Sequence, residues 1–148
     1  MSRLPVSLLT GFLIAAVVAL PAAASPQGAA INHLNQLRSA SGLPALHASE
    51  SLQRSSTKYA RRMIHTDYFG HASRIAASRT FGRIGETLEL NRGWRADPGQ
   101  TISAWMNSSG HRAVLMSSAY RWVGMGIARG KIGSRLVTVW VAHVGARR

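Results

Sequence analysis

The 148-residue chain has no cysteine. No disulfide can brace it, and no thiol is available as a nucleophile or metal ligand. It is also poor in acid: 5 Asp and Glu face 18 Lys and Arg, for a formal charge of +13. Lysine is nearly missing as well, with Lys58 and Lys131 alone, so arginine carries the charge. Forked guanidinium groups suit phosphates and carboxylates, which makes anionic envelope surfaces reasonable partners. A solvated basic surface with no dedicated partner explains the charge equally well. Nucleic acid is not expected, because the basic residues are scattered and the chain opens on an export-like segment.

That segment holds the one long hydrophobic run. Residues 1–24 contain a single charge, Arg3, then an apolar stretch from Leu4 to Leu20, a break at Pro21, and the small residues Ala22, Ala23 and Ala24. This is the pattern of a signal peptide cleaved near Ala24, implying a secreted or periplasmic protein. An uncleaved anchor is the rival, since the run approaches the ~20 residues that span a bilayer. Residues 25–148 then suffice for one domain with one core, expected to be monomeric and held together by burial alone.

Helical spacing dominates the first part of that domain. Ser25-Pro26 reads as a helix start, with Ile31, Leu34 and Leu37 on one face and Gly42 as the stop. Leu43 to Leu46 is a short extended link. Ser49 caps a second helix running to about His65, with Leu52, Ser56, Tyr59 and Met63 on one side. A turn at 67–71 carries Tyr68 and Phe69, which need a core. Ile75 to Phe81 has the look of a short helix, and residues 91–97 of a loop. Asp97-Pro98 opens a third helix, which should end at Gly110. The period then changes. Val123, Met125 and Ile127 point one way, Gly124 and Gly126 leave the other face open for close approach, and Gly130 to Gly133 makes a hairpin. Leu136 to Val144 is almost wholly apolar, as a strand covered on both faces would be. Helices followed by a hairpin indicate an α+β layered domain.

Several segments, in order, resemble one family. These are Asn35-Gln36-Leu37-Arg38 with Gly42-Leu43-Pro44-Ala45-Leu46, then Met63 through Tyr68-Phe69-Gly70-His71, then Gly85-Glu86, then Trp105 through Ser109-Gly110-His111-Arg112, then Val123-Gly124-Met125-Gly126. Together they are similar to the CAP superfamily (cysteine-rich secretory, antigen 5 and pathogenesis-related 1 proteins), in its bacterial, SCP-like branch. The resemblance implies a three-layer α-β-α sandwich with a central antiparallel sheet. It also implies a cleft lined by His71, Glu86 and His111. Where many relatives place a second glutamate, this chain has Ser108, and Thr87 replaces the usual asparagine, which removes an amide from the cleft wall.

Two imidazoles and a carboxylate suggest a definite chemistry. His71, His111 and Glu86 are a candidate set for Zn²⁺ or another divalent metal with an open position for water, although no H-E-x-x-H spacing supports it. A Ser-His-Glu arrangement can be drawn from Ser108 or Ser109 with His111 and Glu86, but neither serine sits in a G-x-S-x-G elbow. The same trio serves equally well as structure. Glu86 would then accept backbone N–H bonds, His111 would bond a helix-end carbonyl, and His71 would anchor the aromatic turn. His33, His47 and His65 are expected at the surface, and His143 buried and satisfied. Trp105, Trp122, Trp140, Tyr59 and Phe69 are expected in the core, with Trp94 as the exposed aromatic. Three functions follow: a binding module for an envelope lipid, glycan or protein, which the resemblance favours; a metal-assisted hydrolase; and a protein whose trio only stabilises the fold. No catalytic apparatus is identified.

Overall fold

Ser25 has extended backbone, and its Oγ accepts the Gly28 N–H at 3.1 Å, which starts helix α1 (Pro26–Ala40) with proline where a missing N–H costs nothing. The molecule is known from a computed structural model that describes residues 25–77 and 79–148. The expected signal peptide, residues 1–24, lies outside the described residues, as does Ser78. After α1, Gly42 takes φ +69°, the left-handed turn that releases the chain into the extended link.

Two α1 side chains clamp that link. The Asn35 amide both donates to the Leu46 carbonyl at 3.0 Å and accepts its N–H at 2.8 Å. Arg38 is fully buried and donates to the carbonyls of Pro44, Leu115, Ser117 and Tyr120. A buried guanidinium is tolerable only when its donors are occupied, as they are here. The clamped link forms β1 (His47–Ala48), and Ser49 then caps α2 (Glu50–His65).

The sheet contains β2 (Phe81–Arg92), β3 (Trp122–Ile132) and β4 (Arg135–Arg147), in the order β1-β3-β4-β2. The three long strands pair antiparallel, and β1 adds a two-residue parallel pair, His47 with Trp122 and Ala48 with Val123. β4 lies between β3 and β2, which is why its apolar run continues on both faces. On one face α2 covers Leu88, Ala128, Val137, Val139 and Val141. On the other, α1, α3 (Pro98–Asn107) and α4 (Ser109–Leu115) bury Trp105, Trp140, Ile102, Met125 and Val144. The result is the expected α-β-α sandwich. Gly124 and Gly126 do admit the helix: a Cβ on them would lie 2.0 Å from Gln53 N and 2.2 Å from Thr57 N.

Several expectations fail. Residues 75–77, 79 and 80, the described part of the expected short helix, are not helical, and β2 begins at Phe81 and runs through Asn91 and Arg92, which had read as loop. Glu86 and Glu89 break its apolar pattern, so propensity hid the strand. The third helix stops at Asn107, not Gly110, because Ser108 ends α3 and caps α4. Tyr68 and Phe69 find no core and are 56% and 38% exposed. Their turn is fixed by polar bonds instead: Asp67, at φ +52°, accepts the Gly133 N–H, and Tyr59 donates to the Gly70 carbonyl at 2.6 Å. Trp122 is only half-buried, at the start of β3, with its ring against His47 and under Arg147. Trp105 and Trp140 are core, and Trp94 is exposed.

Candidate functional site

Glu86 projects from β2 onto the α2 face, directly across the ladder from His143 of β4. Its side chain is 5% exposed, and both oxygens are engaged. Oε1 accepts from His71 Nδ1 at 2.9 Å and from the Ala72 N–H at 3.0 Å, while Oε2 accepts from His143 Nε2 at 2.9 Å. Burial pushes the Glu86 carboxyl up, but the bonds from His143, Ala72 and His71 outweigh it and hold the group below its ordinary value. An ionised carboxylate only accepts, so it fixes the proton on His71 Nδ1 and on His143 Nε2.

His143 is nine-tenths and more buried, and its Nδ1 meets Ser55 Oγ from α2. His71, on the loop after α2, is the solvent-facing end of the chain Ser55–His143–Glu86–His71, with 60% of its side chain exposed. His111 approaches from α4, its ring centroid 6.4 Å from that of His71. Its Nδ1 is buried without a hydrogen-bond partner and does not reach a helix-end carbonyl. Burial, and then the charge of His71, lower its pKa, so the imidazole is neutral at neutral pH.

The expected trio does converge, with a division of labour that its residue types do not reveal. Glu86 binds His71 directly, whereas no hydrogen bond joins His111 to Glu86 and the His111 Nδ1 has no partner. The backbone N–H bond expected of Glu86 is present, from Ala72. Ser108 serves the backbone: its Oγ accepts the His111 N–H at 3.5 Å as the cap of α4. Ser109 is exposed, and the His111 Nδ1 bonds neither serine hydroxyl. Thr87, in place of asparagine, leaves its hydroxyl buried and unpaired. Among the described residues no three His, Asp or Glu side chains are grouped to hold a metal ion. His143 is buried and satisfied as expected, yet its membership of the site was missed, together with that of Ser55. The signal was register: once β2 is a strand paired with β4, Glu86 and His143 must face each other.

A cavity of about 770 Å³ opens between α2 and the loop that carries His71, with Ser55 and His143 among its lining residues. Lys58, Arg61, Arg62, His65 and Arg74 also line it, and no acid does. Tyr59, Met63, Tyr68 and Ile75 add apolar surface. Its size and mixed lining suit a small amphiphilic ligand.

Known proteins share this architecture. An extracellular Bacillus anthracis protein containing an SCP domain superposes with a TM-score of 0.66 at 18% identity, over 82% of this chain and 40% of that one. An outer surface protein of Borrelia burgdorferi superposes with a TM-score of 0.62 at 19% identity, over 80% of this chain and 90% of that one. An uncharacterised Bacillus subtilis protein, YkwD, is 30% identical over 99 residues, or 62% of this chain. The match takes in only 38% of YkwD, so the chain spans well under half the length of that relative. The family model of the cysteine-rich secretory proteins, CAP, matches residues 31–144. With that match over most of its length, this cysteine-free chain belongs to the CAP family.

Proposed function

We propose that the protein is an extracytoplasmic binding module that takes an anionic, lipid-like component of the envelope in the cavity between α2 and the His71 loop. The observation that carries this reading is the cavity's lining, four cationic side chains (Lys58, Arg61, Arg62 and Arg74) and three histidines beside apolar surface with no acid. Such a lining selects for a negatively charged head and an apolar body. The export-like segment at residues 1–24 supports the location, and so do the extracellular Bacillus anthracis and surface Borrelia relatives. Calorimetric titration of residues 25–148 tests it with dodecyl phosphate beside dodecyl maltoside. Saturable binding of the phosphate, weakened by salt and by Arg62→Ala with Arg74→Ala, is the expected result. Preference for the maltoside would make the ligand a glycan. Binding of neither would leave the His-Glu network a stabilising device.

One observation favours divalent-metal binding in the same cleft. Glu86 occupies His71 Nδ1 and so leaves Nε2 to other partners, near the neutral imidazole of His111, whose Nδ1 has no hydrogen-bond partner. These two imidazoles would hold Zn²⁺, with Glu86 orienting His71 from behind, and bound water would complete the shell. The ion would supply a water of lowered pKa, the requirement for metal-assisted hydrolysis. Titration with Zn²⁺ should give one site that disappears in the His71→Ala/His111→Ala double variant.

A further inference from the structure

Ser55 lies on the sheet-facing side of α2, where a serine ordinarily bonds a carbonyl one turn back or gives way to alanine. Its hydroxyl instead meets the Nδ1 of His143, 88 residues away in the chain. The other nitrogen of that ring, Nε2, is held at 2.9 Å by Glu86. Because Glu86 is an acceptor at both oxygens, Nε2 carries the ring proton and Nδ1 offers its lone pair. The Ser55 O–H is therefore the donor to His143. Ser55 and His143 line the 770 Å³ cavity and Glu86 does not. The hydroxyl and the imidazole thus both border the cavity, and the carboxylate lies behind the imidazole.

We propose that Ser55, with His143 as general base and Glu86 as the group that orients it, is an activated nucleophile. It would form a covalent adduct with acyl or phosphoryl esters that bear a negative charge. The logic is that of a serine, histidine and acid triad with the imidazole used in the reverse sense, Nδ1 toward the serine and Nε2 toward the carboxylate. In the first step the Ser55 Oγ–acyl bond forms as its proton passes to His143 Nδ1. The ester's alkoxide leaves with that proton as the free alcohol. Water, deprotonated by His143, then cleaves the acyl–Oγ bond, releases the acid and restores Ser55. Lys58, Arg61 and Arg62 at the cavity supply the preference for an anionic ester.

This inference uses the same cavity as the binding proposal, but its test does not depend on dodecyl phosphate being retained. Residues 25–148 are incubated with diisopropyl fluorophosphate, a small neutral electrophile that loses fluoride to a reactive serine, and the adduct is located by peptide mass spectrometry. A single adduct on Ser55 is expected in the folded chain and none in urea. It should be absent in Ser55→Ala and retained in Ser108→Ala. His143→Gln should slow its formation about 100-fold or more, the usual weight of a general base. Glu86→Gln should slow it less. No adduct, an adduct elsewhere, or a rate on Ser55 unchanged by unfolding overturns the proposal. Comparison of folded and unfolded chain keeps the test decisive even if His143→Gln does not fold. Labelling of Ser55 without dodecyl phosphate binding would retain the nucleophile and discard the lipid-like ligand.

Discussion

The two faces of the sheet are held by different means. Beneath α1, α3 and α4 the contact is volume: Trp105, Trp140, Ile102, Met125 and Leu34 fill it with large apolar side chains. Beneath α2 the helix approaches so closely that glycine is required at two positions, and polar groups enter the interface. Ser56 Oγ donates to the Gly124 carbonyl at 2.9 Å and accepts the His143 N–H at 3.2 Å, beside the Ser55–His143–Glu86 chain. The first face stabilises by excluding water, whereas the second uses proximity to hold donors and acceptors in fixed relation. That is why the candidate chemistry lies on the second face.

Substitutions can separate the two. Trp105→Ala removes one of the two largest side chains from the apolar face, together with an Nε1 bond to the Leu88 carbonyl at 3.0 Å, and should cost about 3–5 kcal/mol in denaturant unfolding. On the other face the addition of one methyl should suffice: Gly124→Ala drives a Cβ into the α2 backbone and should cost about 3 kcal/mol. A cost for Gly124→Ala well below that of an ordinary core truncation would show that α2 can lift, and would dissolve the contrast.

The polar face should also show in the pH dependence of stability. Glu86 is held below its ordinary value of 4.5, so the unfolded chain binds its proton more readily. Its contribution is present above 4.5 and is lost as pH falls through the lower folded value. His111, depressed from 6.5, acts in the same direction at higher pH, since below 6.5 the unfolded state takes up a proton that the folded one resists. Urea midpoints of Glu86→Gln should therefore lose the wild-type decline below 4.5 and keep the one that starts near 6.5. The smallest effect is expected at Thr87. Its hydroxyl is buried and unpaired, so Thr87→Val should change stability by less than about 1 kcal/mol or raise it.

How much of this was legible depended on whether the signal was local. Caps and breaks were read correctly at Ser25, Gly42, Ser49 and Asp97, because each is decided by one residue and its neighbours. The glycine pair in β3 and the apolar run of β4 also announced their surroundings. β2 did not. Its charged residues at 86 and 89 face a site and a half-buried edge, and without that strand nothing could pair Glu86 with His143. Histidine identity was likewise insufficient. His71, His111 and His143 are distinguished by what each ring nitrogen meets, which is set across distances of 15 to 88 residues in the chain.

Arg38 has a consequence for how the chain comes together. Its guanidinium closes only when the carbonyls of Pro44, Leu115, Ser117 and Tyr120 are all in place, the last three 77 to 82 residues away in sequence. The end of the first helix is thus completed by groups made more than half the chain later, and until they arrive a cation must stay in water. Helix α1 is therefore expected to lock together with the hairpin and the short helix before it, tying early and late parts of the domain into one cooperative transition.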